Sequence, residues 1–449
     1  MKKLVLLICI TFIVIITFYK NYIYPTLRVA SGYTAKYVCS STFLSNITED
    51  NIKNALDLFL VKNVKYEIDK DQKLVKTSLF GIAKREAVYY NNGISCGCLL
   101  KYADTIPANI TERKIVENND ANSSELHWPQ GNKLHDSIPN FINKKRLDSI
   151  LQNSLAANTK TLAITVAYNN FLVGEAYNSG VDAETRLLGW SMTKSIGNAL
   201  FGILNKTKKI DIYKETGISE WQGDGRKSIT TNNLLQMSGG LQWEENYFRL
   251  SDVTKMLFLN QDFPAYEIQP NLENKPNEKW LYSSGSSNIL SDILRMNFSN
   301  HENYLRFPYD SLFQQINMKS ALIELDNKGN YALSSYAWAT ARDWTRFGLL
   351  YLYKGNWFGK EIFTPQWATY STTPSTTSNG VYGAQFWLNY SGEKVPSINR
   401  DAFYEDGFGG QRILIIPSRN LVITVLSGNQ SNFNFDEFYS HIVSCFDNE

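Results

Sequence analysis

An apolar run at the start of the chain is typical of a segment that enters a membrane. The first run, LVLLICITFIVIITF, follows Lys2 and Lys3 and is closed by Lys20. Its length lies between that of a signal peptide and that of a spanning helix, and no clear small-residue cleavage site follows it. We therefore expect residues 1–20 to be a signal peptide or membrane anchor, with an uncleaved anchor favoured. The protein is then exported to the periplasm or another extracytoplasmic space, where the uncleaved segment holds it to the inner membrane.

Two pairs of apolar runs farther along predict β-hairpins. TLAITVAY and FLVGEAY flank Asn169 and Asn170, which favour a tight turn. QRILIIPSRNLVITVLSG reads as two further strands around a Pro-Ser-Arg-Asn turn. KKRLDSILQNSLA and NFDEFYSHIVSCF carry apolar residues at helical spacing, so we expect amphipathic helices there.

A polar stretch divides the chain into two regions. NNDANSSELHWPQGNKLHD is rich in turn formers and predicts an exposed linker. We expect an N-terminal extension over residues 21–140 and a main domain over residues 141–449. Because hairpins bracket a mostly helical middle, about 190 to 360, the main domain is predicted to be α+β, with an antiparallel sheet flanked by helices and a mainly helical insertion. A substrate cleft is expected between sheet and insertion.

Composition removes several classes of function. The net charge is +2 and no basic run is interleaved with aromatics, so nucleic acid is not an expected partner. The four histidines are scattered, and neither a metal site nor a cofactor is expected. Of the five cysteines, Cys9 lies in the apolar run, and in an oxidising compartment Cys39 is expected to pair with either Cys96 or Cys98.

The segment GWSMTKSIGNAL carries the first candidate chemistry. Ser191 and Lys194 are three residues apart and share one helix face. A buried lysine loses basicity and can take the serine proton near neutral pH. Ser391 and Lys394 repeat the spacing in YSGEKVP, a predicted surface turn, so spacing alone does not select the pair. A helix-capping serine and a solvent-facing lysine remain the alternative interpretation.

Two further segments add candidate partners. KWLYSSGSSNIL places Tyr282 two residues before Ser284, and a tyrosine hydroxyl beside a lysine can carry a second proton. EDGFGGQRILIIP brings glycines to the start of a strand, where the N–H of Gln411 is available to an oxyanion.

Taken in order, these motifs resemble the penicillin-recognising serine hydrolases, the group of serine β-lactamases and D-alanyl-D-alanine peptidases. LLGWSMTKS, LLQMSGGLQWEENY, WLYSSGSSN, YAWATARDWTRFGLLYL and GGQRILIIPSRNLVITVLSG are most similar to the class C-like branch, which includes family VIII esterases and 6-aminohexanoate-dimer hydrolases. The resemblance covers about residues 160 to 449 and implies a β-lactamase/D,D-peptidase-like fold.

The resemblance implies roles for individual residues. Ser191 is the acylated nucleophile, Lys194 its base and Tyr282 the second proton carrier. Ser284 stands where relatives place a residue that orients substrate or lysine. The N–H groups of Ser191 and Gln411 form the oxyanion hole beside Gly410. Tyr247 falls where this branch brings an aromatic over the cleft, with a packing tyrosine as the alternative.

One departure bears on the substrate. The third motif of these enzymes begins with Lys or His, whereas here Phe408 precedes Gly409 and Gly410. A phenyl ring does not pair with a carboxylate, and the aim of nearby Arg412 is open. The leading hypothesis is therefore an exported esterase or amidase acting on a small-molecule ester or amide. A β-lactamase or D,D-peptidase is one alternative, and a non-catalytic, membrane-anchored binding or sensor module is the other. We also expect Arg342 and Asp343 to form a structural pair between helices.

Overall fold

The computed structural model describes residues 2–92, 94–102, 125–429 and 432–446, with side chains described except in residues 91–96. The helices are α1 (Lys2–Phe18), α2 (Tyr24–Phe43), α3 (Glu49–Ala55), α4 (Lys144–Ala157), α5 (Thr193–Lys206), α6 (Thr231–Leu235), α7 (Asp252–Leu259), α8 (Phe263–Ile268), α9 (Ser284–Met296), α10 (His301–Pro308), α11 (Ala341–Leu352), α12 (Pro365–Ser371) and α13 (Phe435–Val443). The strands are β1 (Lys65–Asp69), β2 (Leu74–Leu79), β3 (Ala83–Asn92), β4 (Ile94–Leu100), β5 (Thr161–Tyr168), β6 (Phe171–Tyr177), β7 (Leu187–Leu188), β8 (Leu322–Ile323), β9 (Ala337–Ala339), β10 (Asn356–Trp357), β11 (Lys360–Glu361), β12 (Trp387–Leu388), β13 (Phe403–Gly407), β14 (Gln411–Ile416) and β15 (Leu421–Ser427).

The first two helices form one continuous rod. A π-helical turn, Tyr19–Ile23, joins α1 to α2, so the helix runs unbroken from Lys2 to Phe43 over 42 residues. Every described residue of α1 is exposed. Among the described residues this is the one helix that is long and apolar enough to cross a membrane, and an 18-residue window of it has a mean hydropathy of 2.2. Signal sequences share this property.

A small N-terminal sheet packs against α2. Strands β1 to β4 form an antiparallel meander in sequence order, and α2 lies against β2, β3 and β4. A disulfide joins Cys39 of α2 to Cys98 of β4, 59 residues later. Of the two partners that the sequence left open for Cys39, the bond is therefore with Cys98; the Cys96 side chain lies outside the described part.

The main sheet has six antiparallel strands in the order β12-β13-β14-β15-β5-β6. The two hairpins predicted from opposite ends of the domain are neighbours, because β15 pairs with β5 in a register that sets Ile423 opposite Val166. The predicted α+β fold with an antiparallel sheet is confirmed. α4 and α13 cover one face of the sheet, and α11 covers the other.

A buried carboxylate connects α2 to the main domain. Glu324, beside β8, forms an ion pair of 2.7 Å with Lys36, and its Oε1 also accepts hydrogen bonds from the Ser40 hydroxyl at 2.8 Å and the Cys98 N–H at 2.7 Å. Its second oxygen accepts from the Trp338 indole at 2.8 Å. Because a buried charge is tolerated when it is paired and hydrogen-bonded, these contacts fix α2 in the core.

Part of the predicted exposed linker is buried in the structure. Trp128 is 1% exposed, and the Arg346 guanidinium donates hydrogen bonds to the carbonyls of Pro129 and Gly131. Residues 118–124 of that stretch lie outside the described residues. The sequence prediction was wrong for residues around 128 because a single tryptophan buries enough apolar surface to fix a polar segment.

The predicted pair between Arg342 and Asp343 was also wrong. Arg342 forms an ion pair with Glu175 of β6 at 2.6 Å, and Asp343 pairs with Arg346. Neighbouring residues on α11 point in different directions, so each finds its own partner.

Candidate active site

Ser191 lies in a short 3-10 turn, Trp190–Met192, that connects β7 to α5. Trp190 has a φ of +47°, a strained value for a residue with a bulky side chain. Gly189 before it is closely packed, since an added Cβ would lie 2.4 Å from the ring of Trp344. The turn therefore presents Ser191 at the N-terminal end of α5, where backbone N–H groups are available to an anion.

Lys194 is buried and faces Ser191 from the first turn of α5. Its Nζ lies 2.8 Å from the Ser191 Oγ, 3.0 Å from the Ser284 Oγ and 3.0 Å from the Ser334 carbonyl oxygen. Only 2% of the residue is exposed. The structure thus brings Ser191, Lys194 and Ser284 together, and the solvent-facing alternative for the lysine does not hold.

Burial changes the basicity of this lysine. Desolvation lowers the pKa of Lys194 to about 8, and the negative charge of Glu245 acts in the opposite direction. A lysine with such a pKa is partly neutral at physiological pH and has a lone pair to accept a proton.

Tyr282 lies on the other side of the lysine. The Lys194 Nζ is 4.8 Å from the centre of the Tyr282 ring, which also packs on Trp387 at 5.2 Å. Burial raises the pKa of Tyr282 well above its usual value, and the proximity of the Ser191 hydroxyl acts the other way. The phenol is therefore neutral and able to donate a proton.

Glu245 is a member of this cluster that sequence reasoning missed. Its Oε1 accepts a hydrogen bond from the Ser284 hydroxyl at 2.5 Å, and its Oε2 accepts from the Ser284 N–H at 2.8 Å. The Trp243 indole donates to the same Oε2 at 2.6 Å. In the segment LQWEENY the sequence points to Tyr247 alone, because no local spacing relates Glu245 to a serine 39 residues later.

The glycine-rich turn approaches the Ser191 turn from the main sheet. Gly407 at the end of β13 pairs with Gln411 at the start of β14, and a Cβ on Gly407 would lie 2.2 Å from the Gly189 carbonyl oxygen. Gly410 has a φ of +90°, which favours glycine. The Gln411 side chain is held by Ser427, whose carbonyl accepts from its Nε2 at 2.6 Å. The backbone of Gln411 therefore begins its strand beside the Ser191 turn.

The second serine–lysine pair lies elsewhere. Ser391 and Lys394 are both exposed, in a loop before β13. The two serine–lysine pairs have the same spacing in sequence, but only Ser191 and Lys194 are buried.

Comparison with known proteins shows the family to which this chain belongs. Residues 147–439, more than half of the chain, match the sequence model of the beta-lactamase family. The chain belongs to the beta-lactamase family. Members of this family are serine hydrolases that act on esters or amides. Among the curated proteins, none matches the chain in sequence.

Solved structures share the beta-lactamase fold at low identity. A protein described as a 6-aminohexanoate-dimer hydrolase from Bacillus anthracis is 23% identical, with a TM-score of 0.55 over 66% of this chain and 80% of that chain. A class C beta-lactamase is 12% identical, with a TM-score of 0.55 over 71% and 100% of the two chains. A family VIII carboxylesterase is 14% identical, with a TM-score of 0.52 over 67% and 96%.

Phe408, in the glycine-rich turn, is surrounded by aromatic side chains. The Phe408 ring stacks on Tyr247 with 4.6 Å between centres and meets Trp190 edge-on at 5.5 Å. Tyr247 therefore packs beside the site, next to the turn that carries Ser191. Arg412 points to the opposite face of the sheet, where it pairs with Asp406 at 2.6 Å and lies 4.0 Å from the Phe435 ring.

Proposed function

We propose that this protein is a membrane-anchored serine hydrolase of the esterase or amidase type, which works through an acyl-enzyme on Ser191. One observation carries the proposal. The Nζ of Lys194 lies 2.8 Å from the Ser191 Oγ, and burial lowers the pKa of that lysine to about 8. Such a lysine can accept the serine proton as the hydroxyl attacks a carbonyl carbon.

The proposed reaction has two halves. In the first, the Ser191 oxygen bonds to the substrate carbonyl carbon while Lys194 takes the proton, and the N–H groups of Ser191 and Gln411 stabilise the oxyanion. The bond to the leaving alcohol or amine then breaks, and Tyr282 delivers the proton to that group. In the second half, water attacks the acyl-serine and gives up a proton to the same base, the bond to Ser191 breaks as the acid product leaves, and the proton from the water passes to the Ser191 oxygen.

Ser284 and the Ser334 carbonyl have a positioning role in this proposal. Both lie 3.0 Å from the Lys194 Nζ and so direct the amine at Ser191. Glu245 in turn fixes Ser284 through two hydrogen bonds. The lysine is therefore oriented before the substrate arrives, which favours proton transfer.

An ester or amide without a carboxylate is the favoured substrate over a β-lactam. Phe408 occupies the position at which the enzymes that this chain resembles carry Lys or His. Arg412 does not replace that cation, because its guanidinium pairs with Asp406 on the far face of the sheet. A carboxylate at this place would therefore lose charge-assisted hydrogen bonds.

The first helix supports attachment to a membrane from an oxidising side. α1 is apolar and exposed along its length, and it continues directly into α2. The disulfide between Cys39 and Cys98 is typical of proteins outside the reducing cytoplasm. We therefore propose an extracytoplasmic catalytic domain held by an uncleaved helix.

Labelling with a fluorophosphonate probe tests the proposal. The full-length chain in detergent is incubated with the probe and weighed by intact-mass spectrometry. We expect one adduct on the wild type and on Ser391→Ala, and none on Ser191→Ala or Lys194→Ala. A folded wild type without an adduct would favour the binding module instead.

A further inference from the structure

An apolar pocket lies between α2, residues 58–61, residues 247–250 and Phe408 of the glycine-rich turn. It has a volume of about 90 Å³, and its lining includes Val29 and Tyr33 of α2, Phe59, Phe248 and Phe408. Phe59 and Phe248 are 85% and 81% exposed, so the pocket opens to the surface between them.

The inner end of the pocket borders the candidate active site. Phe408 and Tyr247 both line the pocket and stack on each other at 4.6 Å. Trp190 directly precedes Ser191. Its ring centre lies 5.5 Å from that of Phe408 and 5.9 Å from that of Tyr33. The rings of Trp190, Tyr247 and Phe408 therefore form an aromatic wall that lies between the pocket and Ser191.

The outer end faces the start of α2, where the apolar helix α1 joins it. Leu27 of α2 packs against Leu79 and Ala83, and Ser31, one turn later, donates a hydrogen bond to the Ala83 carbonyl. The turn between β2 and β3 thus extends past Leu27, towards the end of α2 that continues into α1.

Large apolar side chains are exposed at this end. Phe80 and Ile82, in the turn between β2 and β3, are 68% and 51% exposed, and together with Phe59 and Phe248 we call them the apolar rim. Exposed apolar surface of this kind marks a contact with protein or membrane. Tyr19, Tyr22 and Lys20 lie in the segment between α1 and α2, and these residue types favour the bilayer interface.

The lining of the pocket offers little to a polar ligand. The Thr26 hydroxyl donates to the Tyr22 carbonyl four residues back, and the Thr254 hydroxyl donates to backbone carbonyls. Among the described residues that line the pocket, Arg249 is the one with a charge, and it forms an ion pair with Glu244. The chemistry that fits such a lining is an alkyl chain.

We propose that the pocket holds the long alkyl chain of an acyl ester or amide that enters from the bilayer past the apolar rim. This inference rests on the proposed function and names its substrate class. The chain lies along the aromatic wall, and the Phe408 ring turns aside so that the carbonyl carbon reaches Ser191. The bond to the head group breaks, the head group leaves with the serine proton, and water releases a long-chain acid.

Chain-length dependence tests the inference. The full-length protein is reconstituted in phosphatidylcholine vesicles, and kcat/KM is measured for p-nitrophenyl acetate and p-nitrophenyl dodecanoate. We expect the dodecanoate to be preferred. Thr26→Phe narrows the pocket and should lower the dodecanoate-to-acetate ratio about tenfold, the equivalent of roughly two buried methylene groups. Thr207→Phe is the matched control, because Thr207 also bonds the carbonyl four residues back and lies at the end of α5.

Three outcomes separate the hypotheses. A wild type that hydrolyses the acetate without preferring the dodecanoate overturns the inference and leaves the proposed function standing. Equal losses on both esters in Thr26→Phe also overturn it. Hydrolysis of neither ester, with no fluorophosphonate adduct, removes the proposed function itself.

A photoreactive fatty acid provides a readout independent of activity. A diazirine-bearing C15 acid is irradiated with the reconstituted protein, and the adducts are mapped by peptide mass spectrometry. We expect adducts in residues 26–33, 58–61 or 247–250. Adducts confined to α1, or a dimer in which a second copy covers Phe59 and Phe248, would overturn the acyl-chain assignment.

Discussion

The carboxylate of Glu245 receives two hydrogen bonds from a single residue, the hydroxyl and the N–H of Ser284, at 2.5 Å and 2.8 Å. The same hydroxyl oxygen accepts from the Lys194 Nζ at 3.0 Å. The Glu245 carboxylate and the Lys194 amine, the candidate base, therefore hydrogen-bond to the same hydroxyl, that of Ser284. Through this relay of two hydrogen bonds, Glu245 favours the charged form of the lysine without touching it.

The rate of fluorophosphonate labelling should follow the deprotonation of Lys194. Since burial lowers the pKa of this lysine to about 8, the rate is expected to rise about tenfold per pH unit below that value and to level off above it. The Glu245 charge favours the ammonium form, so Glu245→Gln should move the rise to lower pH. Labelling rates from about pH 6 to about pH 10 measure this shift.

Glu273→Gln is the control for that experiment, because Glu273 is exposed on the surface. Its pH profile should coincide with that of the wild type. A profile of Glu245→Gln that stays in place, or moves to higher pH, contradicts the relay.

Loss of the Tyr282 hydroxyl should slow turnover while the fold remains. Tyr282→Phe keeps the ring contacts with Trp387 but removes the proton donor, and we expect kcat for an alkyl ester such as ethyl butyrate, whose alcohol must be protonated as it leaves, to fall about 10²–10⁴-fold. Tyr382→Phe, a buried neighbour 5.9 Å from the Tyr282 ring, should retain most activity. Equal rates in Tyr282→Phe and the wild type would exclude the tyrosine as a proton carrier.

The close approach of two turns predicts a sensitive glycine. In Gly407→Ala the new methyl group would lie 2.2 Å from the Gly189 carbonyl oxygen, so the backbone must move. We expect a loss of about 1–3 kcal/mol in the free energy of unfolding and slower labelling of Ser191. Gly223→Ala is the matched control, since nothing lies within 4 Å of the added Cβ, and its thermal midpoint should be unchanged or slightly higher. A midpoint for Gly407→Ala equal to that of Gly223→Ala would contradict this packing.

The disulfide should contribute strongly to stability. It closes a segment of 59 residues, and the chain-entropy estimate for such a loop is about 4 kcal/mol. Cys39→Ser should therefore lower the thermal midpoint, and added reductant should lower that of the wild type but leave the variant unaffected. Cys9→Ser, at an exposed free cysteine, should behave as the wild type does. A reductant-insensitive wild type would show that the bond does not stabilise the fold.

How much could be predicted from sequence depended on the range of each contact. Ser191 and Lys194 are three residues apart on one helix, so their chemistry could be inferred from spacing, and the hairpins at both ends of the domain gave the main sheet. Glu245 could not be found this way, because it reaches Ser284 across 39 residues.

The role of α2 was also hidden from pattern analysis. Its buried residues include Ser31, Thr34, Lys36 and Ser40, which no hydrophobic periodicity distinguishes. Lys36 is accommodated by Glu324, 288 residues later. Polar side chains can be buried only where another group completes their hydrogen bonds. When that group is distant in sequence, spacing along the chain does not reveal it.

The unbroken helix from Lys2 to Phe43 has a mechanical consequence. A flexible tether lets a domain tumble and sample a volume of solvent, whereas an α-helix rises by about 1.5 Å per residue and acts as a rigid spacer. The twenty residues of α2 pack against the domain, with Lys36 and Cys39 bonded to other elements, so the rod is fixed to the domain at this end. With α1 in a bilayer, the domain stands at one height and Ser191 samples a thin layer parallel to the surface. Its search for substrate is then two-dimensional.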